Sequence, residues 1–220
     1  MALALVTCGP AHEPIDAVRR ITNHSSGELG TVLSGALHAA GFRVLCFRGE
    51  GAVFPPPSAA DVQPFTTNAS LRTALEQLPE APAVIFHAAA LCDFLVAAVE
   101  GSGTVQKIRG STPEIRLTLR PAPKLLPELR RLFPEALIVG WKYELDGTRD
   151  DALARGVEQI ARARTDACVV NGAAYGQGFG FLEPDRTGER HLTDKPELGG
   201  FLAAWAREKL SPSRAASTAA

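Results

Sequence analysis

The densest chemistry in the chain lies in Arg19-Arg20-Ile21-Thr22-Asn23-His24-Ser25-Ser26-Gly27-Glu28-Leu29-Gly30. Two cations and an amide stand directly before a Ser-Ser-Gly, and a helical period begins just after it. Free backbone N–H groups at a helix start, with the positive end of the helix dipole, attract anions. Small residues let phosphate oxygens approach the backbone, and the arginines add charge-assisted donors. This pattern points to an anion site. Ser25 and Glu28 also have the spacing of a capping box, the plainer reading of Ser-x-x-Glu. Both readings start a helix near Ser25.

Four other segments share one placement. Thr7 to Pro10, His87 to Phe94, Gly140 to Leu145 and Asn171 to Gly180 each follow a short apolar run. Those runs, ending at Val6, Phe86, Val139 and Val170, read as buried strands. Between them lie helical patterns. Leu29, Val32, Leu33, Ala36, Leu37 and Ala40 share one helix face, and Gly41 stops it. Shorter helices are expected over Leu71 to Leu78 and Leu125 to Leu132. Leu153, Val157, Ile160 and Ala161 mark another helix, and Glu197 to Leu210 a last one. Val44 to Phe47 is a further strand. Val105 to Ile108 and Glu114 to Leu119 flank Gly110-Ser111-Thr112-Pro113 and read as a β-hairpin.

Strand alternating with helix implies an α/β, Rossmann-like, three-layer α/β/α fold. Its sheet is mostly parallel, with a projecting β-hairpin. Ligands in such sheets sit beyond the carboxyl ends of the strands, so the four segments are expected to converge. Residues 1–210 form one domain, and 211–220, small and polar, an unstructured tail.

The chain has 220 residues, with 23 Lys+Arg against 24 Asp+Glu. This balance excludes the general basic field that nucleic-acid binding needs. No apolar run approaches the roughly 18 residues of a membrane helix. The apolar start is too short for a secretory leader. Cys8, Cys46, Cys92 and Cys168 lie far apart with no CxxC pair, which disfavours zinc and disulfide frameworks. A cytoplasmic protein is expected, with Cys8 and Cys92 as buried small hydrophobes. His12 and His24 flank the first motif without metal-ligand spacing, and the metal ligands are unknown at this stage.

The stretch from Glu13 to Gly30 resembles the signature of phosphopantothenate–cysteine ligases, enzymes of coenzyme A biosynthesis. Ala88-Ala89-Ala90-Leu91-Cys92-Asp93-Phe94 resembles their second motif. Lys107-Ile108, Pro123 to Leu126, Val139 to Lys142 and Asp166 to Asn171 follow as landmarks in the same order. The resemblance spans about residues 3 to 208. It implies the single-domain form, without the flavin-dependent decarboxylase domain, and no flavin. It implies ligation of 4′-phosphopantothenate to L-cysteine through an acyl nucleotidylate, with CTP or ATP as co-substrate, Mg²⁺ accompanying it, and a homodimer.

Site roles follow from the same resemblance. Asn23 and Lys142 are the catalytic candidates. Arg19, Ala89, Ala90 and Asp93 bind phosphopantothenate, Arg19 reaching the phosphate in the neighbouring subunit. Gly9, Ser25, Gly27, Gly30, Trp141 and Asn171 bind the nucleotide. Three departures stand out. Pro10 replaces the second glycine after the first strand, which predicts a rearranged phosphate turn. Gln159 replaces a lysine, and Lys142 is expected to supply that charge. Gly176-Gln177-Gly178-Phe179-Gly180 reads as a mobile flap or a surface loop. A non-catalytic binding homologue is an alternative function. A nicotinamide-dependent reductase is a weaker one, since no GxGxxG follows the first strand and no Tyr-x-x-x-Lys exists.

Overall fold

The computed structural model describes residues 1–100, 107–184 and 188–211. The elements begin with β1 (Leu3–Cys8), β2 (His12–Pro14), β3 (Arg20–Thr22), α1 (Glu28–Ala39), β4 (Arg43–Gly49), β5 (Asp61–Phe65), α2 (Asn68–Glu76) and β6 (Val84–His87). They continue with β7 (Phe94–Glu100), β8 (Arg116–Pro121), α3 (Leu125–Leu132), β9 (Leu137–Tyr143), α4 (Arg149–Ala163), β10 (Ala167–Gly172), β11 (Gly176–Leu182), β12 (Arg190–Leu192) and α5 (Lys195–Lys209).

The central sheet runs β12-β11-β10-β9-β6-β1-β4-β5. Its strands from β10 to β5 are parallel. Only β11 and β12 run against them. The chain winds from β1 out to β4 and β5, then returns to the other side of β1 for β6, β9 and β10. That reversal falls between β1 and β6, where such sheets open a crevice at their carboxyl ends. In β1, Ala4, Val6 and Cys8 join the core with Leu33 and Leu37 of α1 and Leu198 and Leu202 of α5. Leu3 and Leu5 face Leu71, Leu75, Leu125 and Leu129 of α2 and α3. Both parities are apolar because helices cover both faces. No helix among the described residues is long and apolar enough to cross a membrane.

Five local expectations need correction. Helix α1 starts at Glu28 behind Gly27, a left-handed cap with φ of 80° and no side chain of its own, and the Ser26 hydroxyl accepts from the Glu28 N–H at 3.3 Å. The Ser25–Glu28 box does not form, because a reciprocal box needs an extended serine at the cap itself. The first hairpin arm is β7, not Val105 to Ile108. Leu119 pairs with Val96 and Leu117 with Val99. Ile108 is buried, and its N–H donates to the Asp16 carboxylate at 3.1 Å. Val105 lies outside the described residues. The Gly110-Ser111-Thr112-Pro113 segment does turn the chain, but turn chemistry alone does not choose the partner strand.

On α4 the buried face is Ala152, Gly156, Gln159, Ile160 and Ala163, while Val157 is exposed. Small residues win because the helix lies close to the sheet. A Cβ on Gly156 would stand 2.6 Å from Val170 Cγ2. The segment Gly176 to Gly180 is neither flap nor surface loop. It is β11, with Phe179 and Phe181 in the core. Its alternate glycines are needed because a Cβ on Gly180 would meet the Tyr175 ring at 2.6 Å. Finally, the edge strands β5 and β12 and the β2–β3 ribbon had no strong sequence signal. Pro64 in β5 is tolerated because an edge strand leaves one side unpaired.

Candidate active site

A cleft of about 1110 Å³ opens at the carboxyl ends of β1, β6, β9 and β10. Gly9, Asn23, Ser25, Gly27, Gly30, Ala89, Ala90, Asp93, Trp141, Lys142 and Asn171 line it. Arg19 does not. Its guanidinium pairs with Asp16 at 2.5 Å and donates to the Ile108 carbonyl at 3.1 Å.

The floor is built by close approach. Gly30 packs α1 onto the end of β1 so tightly that a Cβ there would stand 2.2 Å from Cys8 Cβ. Gly27 holds a backbone conformation that L side chains rarely adopt. Pro10 sits beside Ala90 in a parallel bridge. The bridge bonds are carried by Ala90 N–H to Gly9 O and Ala11 N–H to Ala90 O, both 3.0 Å. The bridge therefore does not need the N–H that Pro10 lacks. The same bonds commit the backbone groups of Ala90 to the protein.

The wall over β6 is fixed by two amides. Asn23 donates from Nδ2 to the Leu91 carbonyl at 2.7 Å. Asn68 receives the Cys92 N–H at 3.0 Å and donates to the Cys92 carbonyl at 2.8 Å. Asp93 accepts from Lys124 at 2.5 Å. Lys124 also lines the cleft, as does Lys195 from α5, paired with Glu28. Sequence reasoning missed Asn68, Lys124 and Lys195. Lys124 lay inside a recognised landmark, whereas Asn68 and Lys195 reach the site only through the packing of their helices.

On the opposite wall Lys142 pairs with Glu144 at 2.8 Å, and Arg155 pairs with Glu144 as well. Burial raises the Glu144 pKa, but Lys142 and Arg155 outweigh it and hold the carboxyl below its usual range. Gln159 lies behind Trp141, donating to its carbonyl and to Cys168 Sγ, both at 3.3 Å. The indole N–H of Trp141 is buried without a partner, an unusual state for a donor on a cleft wall. Burial pushes the Cys168 thiol up to about 12. All four cysteines are buried and unbridged. Among the described residues no group of three His, Cys, Asp or Glu side chains gathers to hold a metal.

A mostly parallel sheet with a glycine-lined helix start and a cleft at its switch point defines a Rossmann-like α/β protein. The family model described as the C-terminal domain of DNA/pantothenate metabolism flavoproteins matches residues 2–188, and the chain belongs to that family. Among its relatives is the coenzyme A biosynthesis bifunctional protein CoaBC of Methanocaldococcus jannaschii. It is 31% identical over 76% of this chain and 40% of its own length. The Bacillus subtilis protein of that name is 31% identical over 80% of this chain and 42% of its own. The chain thus spans well under half of these relatives. The fold matches the DNA/pantothenate metabolism flavoprotein of Streptococcus pneumoniae, with a TM-score of 0.83 at 22% identity, covering 95% of this chain and all of that one. It also matches a Cab2 mutant in complex with phosphopantothenate-cysteine, with a TM-score of 0.72 at 20% identity, over 94% and 86% of the two chains.

Proposed function

We propose that this chain ligates 4′-phosphopantothenate to L-cysteine, as a cytoplasmic enzyme of coenzyme A biosynthesis. The observation that carries this is the single cleft where the Asn23–Gly30 segment, the Ala89–Asp93 loop and the Trp141–Lys142 strand end meet. The family and its CoaBC relatives support it.

In the first step the phosphopantothenate carboxylate attacks the α-phosphorus of CTP or ATP and pyrophosphate leaves. In the second the cysteine amine attacks the acyl carbon, the nucleoside monophosphate leaves, and the amine gives up a proton. Both steps gather negative charge, which fixed donors and cations stabilise. The N-terminus of α1, with Gly9, Ser25 and Gly27, receives the triphosphate. Mg²⁺ accompanying the triphosphate would neutralise part of its charge. Trp141 and Asn171 border the nucleoside. Lys142 carries the charge that Gln159 lacks. Asp93 receives the pantothenate arm, and Ala89 and Ala90 line its path with their small side chains. The Asn23 amide does not titrate, so it orients the acyl carbonyl at any working pH.

The enzyme acts as a homodimer in this reading. Arg19 does not line its own cleft; it is held by Asp16 and serves the neighbour's phosphopantothenate phosphate. Burial raises the Asp16 pKa, but N–H groups of Val18, Ile108 and Arg19 and the Arg19 guanidinium together hold it well below the usual carboxylate range. Asp16 is thus a permanent anion that fixes the direction of Arg19.

The test is pyrophosphate release with phosphopantothenate and cysteine, run side by side with CTP and ATP. Asn23→Asp should lower turnover by roughly 10²-fold or more, the usual cost of one lost preorganised donor, in a protein that still folds. Wild-type turnover in that variant removes the assignment of Asn23. No pyrophosphate release with either nucleotide removes the ligase reading.

A further inference from the structure

Arg48 lies near the carboxyl end of β4 and is only 8% exposed. Its Nη2 donates to the carbonyls of Ala52, at 3.1 Å, and Phe54. Its Nη1 is buried with no hydrogen-bond partner. That free donor is aimed at the start of α1, since a Cβ built on Gly27 would stand 2.7 Å from it. Gly27 caps α1 and lines the cleft, whereas Arg48 lies behind it.

The charge on Arg48 meets the Cys8 thiol but no carboxylate. Among the described residues no carboxylate forms an ion pair with it. Glu28, the acid in the first turn of α1, is taken by Lys195. A buried unpaired cation is costly, and this one stands beside the positive end of a helix, which repels it further. Loop structure does not require the charge. Ala52 N–H already bonds Gly49 O, and Phe54 N–H bonds Ser26 O, both at 3.0 Å. Thr31 Oγ1 holds the Pro55 carbonyl at 2.8 Å. The cation is nonetheless felt on the cleft wall. A hydrogen bond with Cys46 lowers the Cys8 thiol pKa and burial raises it, and the charge and hydrogen bond of Arg48 help hold it below its usual range.

We infer that Arg48 is a positioning residue for the nucleotide's polyphosphate. Its buried guanidinium beneath Gly27 supplies the counter-charge for phosphates seated on the α1 N-terminus without touching them. This rests on the ligase reading, in which that helix start receives a triphosphate. It adds a source of affinity that grows with the charge of the ligand, because the interaction is Coulombic and shielded from water. An anion in the cradle and the cation behind it then satisfy each other.

Calorimetric titration of the full chain separates charge from architecture. The probes are the triphosphate that the enzyme uses and its monophosphate. Arg48→Gln should weaken the triphosphate by roughly tenfold or more and the monophosphate by much less, as expected of a shielded charge. Arg48→Lys, which keeps the cation, should preserve the ratio of the two affinities. Equal losses for both probes in Arg48→Gln would mean a collapsed cradle and would overturn the inference, as would no loss. If wild type binds neither nucleotide, the ligase reading fails with it. If wild type binds and turns over normally while Arg48→Gln keeps the wild-type ratio, only the role of Arg48 fails. Should Arg48→Gln not fold, the ¹⁵N side-chain resonance of Arg48 in wild type is followed instead. It should shift more with triphosphate than with monophosphate, and an unmoved resonance overturns the inference.

Discussion

Individual residues shape this cleft as much by what they leave out as by what they contribute. Gly30 is a floor element because α1 must reach β1. Adding one methyl there drives a Cβ to 2.2 Å from Cys8 Cβ. Overpacking of this kind costs about 1–3 kcal/mol, and relief requires α1 to withdraw from the cleft. Gly30→Ala should therefore lower unfolding free energy by about that amount and raise the KM for the nucleotide. Gly35 in the same helix is the control, since a Cβ there meets nothing within 4 Å. Gly35→Ala should stabilise by about 0.4–1 kcal/mol by restricting the unfolded chain. Urea denaturation of both variants checks the contrast, and equal effects would deny the close-packing role of Gly30. The Gly30 signal was visible in the sequence as part of a motif, but its reason was not. The partner Cys8 lies 22 positions away along the chain and becomes a neighbour only when α1 folds back on β1.

Among the elements, the β7–β8 ribbon stands apart from the main sheet. Two strands alone are marginal in water, and this pair exposes Phe94 and Leu119, with Ile115 just before β8. Ile108, expected on that surface from the sequence, belongs to the chain's own core. The Arg19–Asp16 pair is tied through Ile108 to the segment that leads into β8. In the proposed dimer the ribbon is covered by a second copy, and Arg19 crosses to the neighbour. Co-expressed Arg19→Ala and Asn23→Asp chains should then form a hybrid dimer with one intact site and regain part of the activity each lacks alone. Absence of rescue in a verified hybrid, or a monomer by sedimentation at micromolar concentration, would remove the shared site. Strand β11 shows the opposite limit of local reading. Gly-Gln-Gly-Phe-Gly has the composition of a loop. It is a strand because Tyr175 fills the space its glycines leave, while Phe181 stacks edge-on against Phe201 and Trp205 at 4.9 and 5.4 Å.

At the scale of the whole molecule, one buried group links stability to pH. His87 closes β6 at 7% exposure, and its Nδ1 lies 2.8 Å from the Thr7 hydroxyl. Burial lowers its pKa from 6.5 to about 4. The unfolded chain therefore binds the proton more readily than the native one. Native stability from the neutral ring is fully present above about pH 6.5 and is lost as pH falls toward 4. The loss is about 3 kcal/mol, at 1.36 kcal/mol per pKa unit. Urea midpoints measured from pH 7 to 4 should fall steeply in wild type and less steeply in His87→Gln. Identical slopes would show that His87 is not the group responsible.

The sequence by itself determined the alternation of strand and helix, the burial of β1, and the convergence of four strand ends on one cleft. These are local or periodic properties, carried by residues within a turn or two of each other. Tertiary structure alone decided which strand pairs with β8, that a glycine-rich segment joins the sheet, that Arg19 leaves the cleft, and that Arg48 stands unpaired beneath Gly27. Each depends on a contact between residues distant in the chain. Such contacts are chosen by global packing and by which buried charges find partners, and no local pattern encodes that choice.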